Sequence, residues 1–141
     1  MQRHASAVWQ GTLKEGKGTI STESGVFKEA PYSFAKRFGN EAGTNPEELI
    51  AAAHAGCFSM AFSGKLTAAG FTPEKISTKA NLTLEQVQNA WTITAIHLDT
   101  TANVPGVDRA KFDELANDAK ATCPISRLLN AKITLAAKLE T

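Results

Sequence analysis

Cys57 and Cys123 are the only thiols in this chain, and their surroundings differ. Cys57 lies in the middle of PEELIAAAHAGCFSMAFSGKLTAAG, a run of helical character that is nearly apolar after its first turn. Cys123 stands directly before Pro124 in ATCPISRLL, where a short helix is expected to begin. A thiol at a helix start faces unpaired backbone N–H groups and the positive end of the dipole, which favour thiolate. A thiol inside an apolar helix is normally inert packing unless a cation stands over it. Two thiols that meet in space can reduce a hydroperoxide. One attacks a peroxide oxygen and becomes sulfenic acid, and the other condenses with it to a disulfide.

That chemistry needs an ionised nucleophile. An ordinary thiol, with a pKa of about 8.5, is only a few per cent thiolate at neutral pH. Bringing the pKa to about 6 requires about 3.4 kcal/mol, whereas a helix dipole supplies about 0.3–2 kcal/mol. Cys57, in mid-helix, is expected to lack even the dipole. It needs a guanidinium, and Arg37, in the predicted loop KRFGNEAG, is the candidate. Arginine stays charged and can also bond a departing oxygen. Glu47 is a candidate to hold that guanidinium bidentately. Ten residues separate Glu47 from Cys57, about 15 Å along a straight helix. This separation motivates the hypothesis of a dimer whose sites lie at the subunit interface.

Each of these residues also has a plainer reading. Cys57 could be a packed core thiol, Cys123 a helix-start residue, Arg37 a surface cation and Glu47 a first-turn partner of the dipole. His54 lies one turn before Cys57, at a spacing that makes neighbours of side chains. It is read as a hydrogen-bonded structural residue, with an activated Cys–His pair as the alternative. A metal site built from His54, Cys57 and Cys123 is disfavoured, because a structural zinc site wants four ligands. Phe58, Met60 and Phe62 read as core, with a substrate-pocket role open to some of them. Lys14 and Lys17 belong to a solvated turn. Gly16 and Gly18 are read as turn glycines rather than a phosphate loop, since no helix follows. There is no C-x-x-C of the thioredoxin kind.

The positioning elements can be read from pattern. Short runs from Ala5 to Leu13, at TIST and at VFK, separated by Gly turns, suggest a β-hairpin or meander. Pro31, Tyr32 and Phe34 continue the extended region. In GTNPEEL, Asn45 suits the N-cap, Pro46 N1, and Glu47 and Glu48 the first turn. The helix is expected to run to about Ala69, with Gly70 at C′ and Pro73 preventing continuation. Ile76, Thr78, Ala80, Leu82 and Leu84 alternate with polar residues, the pattern of a half-buried strand. WTITAIHLDTTANV forms a second strand. Asp108 caps a helix with an apolar stripe of Phe112, Leu115, Ala116 and Ala119. ISRLLN makes a short helix, and Ile133, Leu135, Ala137 and Leu139 mark a closing strand. Strands grouped around segregated helices indicate an α+β fold.

Composition sets the remaining bounds. The 141 residues point to a single domain, residues 1–141. Fifteen basic and fourteen acidic residues give a net charge of +1, with no footprint for nucleic acid or an anionic membrane. MQRHASAVWQ lacks the apolar core of a signal peptide, and LIAAAHAGCFSMAF is short and interrupted for a bilayer span. A soluble, cytoplasmic protein is expected, and in that reducing setting two cysteines are more readily reactive than a permanent staple.

The chain resembles the OsmC/Ohr family of thiol peroxidases, on the OsmC side. The resemblance is carried by WQGTLKEGKGTISTESGVF, PYSFAKRF, GTNPEELIAAAHAGCFSMAFS, AGFTP, VPGVD and AKATCPISRLLNAKITL, nearly the whole chain. It implies an OsmC-like fold, with antiparallel sheets around a long central helix, in an intertwined homodimer that reduces hydroperoxides without a cofactor. It implies Cys57 as the peroxidatic thiol and Cys123 as the resolving thiol, with Arg37 and Glu47 as the activating pair. It also implies organic hydroperoxides as preferred substrates and a dithiol reductant such as a lipoylated protein. The reading of another class is a dimeric redox-sensing or ligand-binding module on the same scaffold, which reacts once and does not turn over.

Overall fold

The computed structural model describes residues 1–140. The chain forms two compact units, Met1–Leu49 and the portion beginning at Ile50. In the first unit, β1 (Ala5–Gln10), β2 (Lys17–Thr22) and β3 (Ala30–Tyr32) make an antiparallel sheet in chain order. The expected strand at VFK is absent. These residues lie in the turn region between β2 and β3, and the third strand is Ala30–Tyr32 instead. A short helix, α1 (Phe34–Phe38), follows. Its N-cap is Ser33, whose hydroxyl accepts from the Lys36 N–H at 3.2 Å.

Gly18 is a strand residue rather than a turn residue. It pairs with Trp9 on one side and Tyr32 on the other. The two rings close over it, with centroids 5.4 Å apart. A Cβ at this position would lie 2.4 Å from Tyr32 Cε1 and 2.6 Å from Trp9 Cε3. The missing side chain is therefore the space in which the two aromatics meet.

Helix α2 (Pro46–Ala68) starts as its sequence dictates. The Asn45 side chain accepts from the Glu48 N–H at 2.8 Å, which satisfies one of the unpaired donors of the first turn. The helix ends in a Schellman arrangement. The Phe71 N–H donates to the Leu66 carbonyl at 2.9 Å and the Gly70 N–H to that of Thr67 at 3.0 Å. Gly70 adopts φ 90°, which only glycine takes without cost. At 23 residues α2 is longer than its uninterrupted apolar stretch, and by length and composition alone it could cross a membrane. Its stripe of His54, Phe58, Phe62 and Leu66 is nevertheless fully buried in a shared core, the setting of a core helix in a globular fold.

That core belongs to the second unit. β4 (Lys75–Val87) and β5 (Ala90–Asn103) form a long antiparallel hairpin, followed by α3 (Arg109–Thr122), α4 (Pro124–Leu128) and β6 (Lys132–Glu140). Burial alternates along β4 as the sequence predicts. The register shifts between Thr83 and Leu84. This irregularity explains why the periodicity of β5 is hard to read in sequence. The expectation of antiparallel sheets holds for β1-β2-β3 and for β4–β5, but β6 pairs with β5 in parallel. A parallel neighbour needs a crossover of a dozen or more residues, which α3 and α4 provide. Phe62 meets Phe58 at 5.7 Å and Phe112 at 5.3 Å between ring centroids, tying α2 to α3. A polar rung of Ser59, Thr78 and Thr100 hydroxyls, at 2.8 and 2.9 Å, ties α2 to the hairpin.

Gly18→Ala is expected to force the Trp9 and Tyr32 rings apart and to cost about 1–3 kcal/mol, the usual size of an overpacking penalty. Urea unfolding at fixed protein concentration measures this; unchanged stability would show that the glycine is not needed for the aromatic contact.

Candidate active site

Cys123 is the single extended residue between two helices, with φ −61° and ψ 138°. Its N–H closes α3 by donating to the Ala119 carbonyl at 2.9 Å. Its sulfur opens α4 by accepting from the Ser126 N–H at 3.4 Å. Pro124 follows at the first helical position, where the lack of an N–H costs nothing. Cys123 is buried in the core, and Cys57 on α2 is half-buried. Folding brings the two free thiols together as hydrogen-bonding neighbours.

The expectation that Cys57 lacks any help from a helix start is corrected here. The Ile125 backbone N–H, in the first turn of α4, donates to the Cys57 sulfur. The start of α4 therefore serves both sulfurs, through Ile125 for Cys57 and Ser126 for Cys123. Burial is the larger effect. It pushes the Cys57 thiol above its ordinary value, the neighbouring Cys123 adds to the rise, and the Ile125 N–H opposes it. Within the second unit the protonated thiol is favoured.

His54 is fully buried, and the hydrogen bond of its Nε2 goes to Ser126 Oγ at 2.7 Å. Ser126 Oγ is in turn 3.2 Å from Cys123 Sγ. The structural reading of His54 fits this geometry better than a direct Cys57–His54 pair. Desolvation holds the imidazole below its ordinary pKa, which favours the neutral form. The sequence reading did not single out Ser126. Its signal was the spacing in CPIS, which puts a hydroxyl in the first turn of the helix that Cys123 caps.

The cationic pair lies in the first unit. Arg37 sits on α1 rather than in a loop, and Glu47 in the first turn of α2. The guanidinium grips the carboxylate bidentately. Nε is 3.0 and 3.1 Å from the two Glu47 oxygens, and Nη2 is 2.5 Å from Oε1. Glu47 raises the guanidinium pKa still further, against a smaller opposing effect of burial. The guanidinium carbon also lies 4.9 Å from the centroid of the Phe38 ring. Arg37 lines a cleft of about 240 Å³ together with Trp9, Leu13, Tyr32, Phe34 and Phe38. These aromatics are the apolar side chains the sequence reading missed as pocket candidates. Of those it considered, Phe58 and Phe62 are core, and Met60 is 80% exposed.

A neutral, buried His54 makes stability depend on pH in a defined direction. Its folded pKa lies below the unfolded value of about 6.5. The unfolded chain therefore binds a proton first as pH falls, and stability present above about pH 6.5 is lost below it. The slope from this group is at most about 1.36 kcal/mol per pH unit. His54→Gln is expected to flatten the stability profile between about pH 6.5 and 5, above the range where carboxylates titrate. Denaturant unfolding across that range measures the change, and a slope equal to that of the parent chain would refute the assignment.

The family described as OsmC-like protein matches residues 39–138. Peroxiredoxin OsmC of Escherichia coli (strain K12) is 51% identical over 140 residues, 99% of this chain and 98% of that protein. The organic hydroperoxide resistance protein of Xanthomonas axonopodis pv. citri is 27% identical, over 89% of this chain and 87% of its own. Among solved structures, an OsmC-like protein of unknown function from Vibrio cholerae superposes with a TM-score of 0.78 at 16% identity, covering 97% of this chain and 99% of that one. A family match through residues 39–138, together with a relative 51% identical over 99% of this chain, leads to one conclusion: the chain belongs to the OsmC family.

Proposed function

We propose that this protein is a cysteine-based peroxidase that reduces organic hydroperoxides, and hydrogen peroxide more weakly, to alcohols or water. The observation that carries the proposal is the contact between Cys57 and Cys123. The relative at 51% identity, named a peroxiredoxin, supports the activity, and the relatives named for organic hydroperoxide resistance support the substrate class.

In this reading Arg37 keeps Cys57 ionised. The Cys57 thiolate attacks one peroxide oxygen, the O–O bond breaks, and the other oxygen departs with its electron pair as an alkoxide. Arg37 steadies that charge until the alkoxide takes a proton. Glu47 holds the guanidinium in place. Cys57 is left as sulfenic acid, Cys123 attacks its sulfur, and water leaves as the disulfide forms. A dithiol, such as that of a lipoylated protein, reduces the disulfide by exchange. The aromatic cleft beside Arg37 suits the hydrocarbon part of an organic peroxide. The cytoplasm is the proposed location, because its reducing pool returns both thiols to the free state.

The two units are proposed to be parts of one OsmC-like domain, since the family match runs through the boundary at Leu49. The working form is proposed to be an intertwined homodimer in which one protomer's Arg37 and Glu47 serve the other's Cys57. The helical separation of Glu47 from Cys57 favours such sharing. So do the exposed apolar side chains of Val8, Leu13, Met60 and Leu128, which a second copy could cover.

Steady-state consumption of cumene hydroperoxide with a dithiol reductant tests the activity. Sustained turnover is expected, more efficient than with hydrogen peroxide; a single oxidation followed by arrest would favour the redox-sensing module instead. Cys57→Ser is expected to abolish consumption, and Cys123→Ser to permit one oxidation without cycling. Subunit mixing tests the shared site. Arg37→Ala, expected to lose about 10²–10³ in rate, and Cys57→Ser are unfolded together and refolded. Recovered activity in the mixture is expected, since each heterodimer then holds one complete site. A mixture no more active than its parents would place both residues of a site in one chain.

A further inference from the structure

The sulfur, hydroxyl and imidazole of Cys123, Ser126 and His54 form a continuous chain of hydrogen-bonding atoms, at 3.2 and 2.7 Å. We propose that this chain moves the proton that the resolving step requires, with Ser126 as a catalytic residue touching the Cys123 sulfur and His54 as the positioning residue behind it. The proposal rests on the peroxidase reading above and names a part of the machinery that reading leaves unassigned.

Three observations carry it. First, Cys123 is buried, so its thiol proton has no direct exit to water. A buried thiol that must become a nucleophile needs an acceptor within reach, and Ser126 Oγ lies 3.2 Å from its sulfur. Second, a hydroxyl is both donor and acceptor and rotates to suit. Ser126 can accept from Cys123 while donating to His54 Nε2, or reverse both bonds. Third, His54 Nδ1 is buried without a hydrogen-bond partner. An imidazole kept only for packing gains nothing from a buried nitrogen left unpaired, which costs about 1–3 kcal/mol. Its retained bond is the one that points toward the thiols. Burial also favours the neutral imidazole, whose Nε2 accepts in the tautomer that carries its proton on Nδ1.

The step balances without an added reagent. The S–H bond of Cys123 breaks, its proton goes to Ser126 Oγ, and the Ser126 proton goes to His54 Nε2. The electron pair left on the Cys123 sulfur forms the S–S bond to Cys57. The S–O bond of the Cys57 sulfenic acid breaks with its pair, and the departing hydroxide becomes water by taking up the proton returned along the same chain. The peroxide has already supplied the oxidising equivalents. During reduction by a dithiol, the same groups return a proton to Cys123 as its sulfur leaves.

Single-turnover kinetics separate this role from a structural one. The protein is oxidised with one equivalent of cumene hydroperoxide. The sulfenic acid is then trapped at intervals with a cyclic dione and quantified by mass spectrometry, alongside the disulfide. Ser126→Ala is expected to slow sulfenic acid conversion to disulfide about 100-fold, the low end of general acid–base effects, with the rate of Cys57 oxidation unchanged. Ser126→Thr, which keeps the hydroxyl, is expected to restore most of the rate. His54→Gln is expected to slow the same step, and the double variant to be no slower than Ser126→Ala. If His54→Gln fails to fold, the Ala and Thr variants at Ser126 decide the matter. Disulfide formation at the parent rate in Ser126→Ala, or an equal slowing of oxidation and resolution, would overturn the proposal. A parent protein that forms no sulfenic acid at all would instead overturn the peroxidase reading on which it rests, and the two failures are read from different species.

Discussion

The arrangement of the two thiols depends on one backbone event, the break between α3 and α4. Cys123 is the only residue of that break, extended between two helices, and it is followed by a proline that cannot donate a backbone hydrogen bond. The turn aims the first N–H groups of α4 at two sulfurs together, Ser126 at Cys123 and Ile125 at Cys57. It also places the Ser126 hydroxyl between Cys123 and the buried His54. A longer connection would leave those donors to water, and a continuous helix would leave none to offer.

Burial opposes the chemistry that this arrangement makes available. The core that locks α2 against α3 through Phe58, Phe62 and Phe112 also takes Cys57 partly out of water, and a thiolate loses more by that than a thiol. The Ile125 N–H offsets part of the cost. In the first unit, the bidentate grip of Glu47 on Arg37 fixes the orientation of a guanidinium. That guanidinium lines a cleft of aromatic side chains.

Where local chemistry decides the outcome, the sequence was legible. Asn45, Pro46 and Glu48 start α2 because a side-chain oxygen can meet an unpaired N–H three residues on. Gly70 ends it because the chain must take a positive φ there. Asp108 caps α3 by the same means, accepting from the Lys111 N–H at 2.8 Å. The alternation along β4 survives into the structure because one face meets the core and the other does not. Errors arose where distant partners decide. VFK has strand-forming residues but no partner in the sheet. Gly18 resembles a turn residue until Trp9 and Tyr32 are seen to close over it. β6 is parallel because of the route of α3 and α4, not because of anything in its own residues.

The groups on offer were readable from the chain before folding: two thiols, a helix start at the second, an arginine and a glutamate near the long helix, and the elements that carry them. These follow from residue types and short spacings, which act within a turn or two of chain. Packing in three dimensions is what lets Cys57 share the helix start belonging to Cys123, makes burial outweigh that help, and turns His54 toward Ser126. Desolvation and hydrogen bonding depend on what surrounds an atom in space, and residues far apart in sequence supply those surroundings only once the chain has folded.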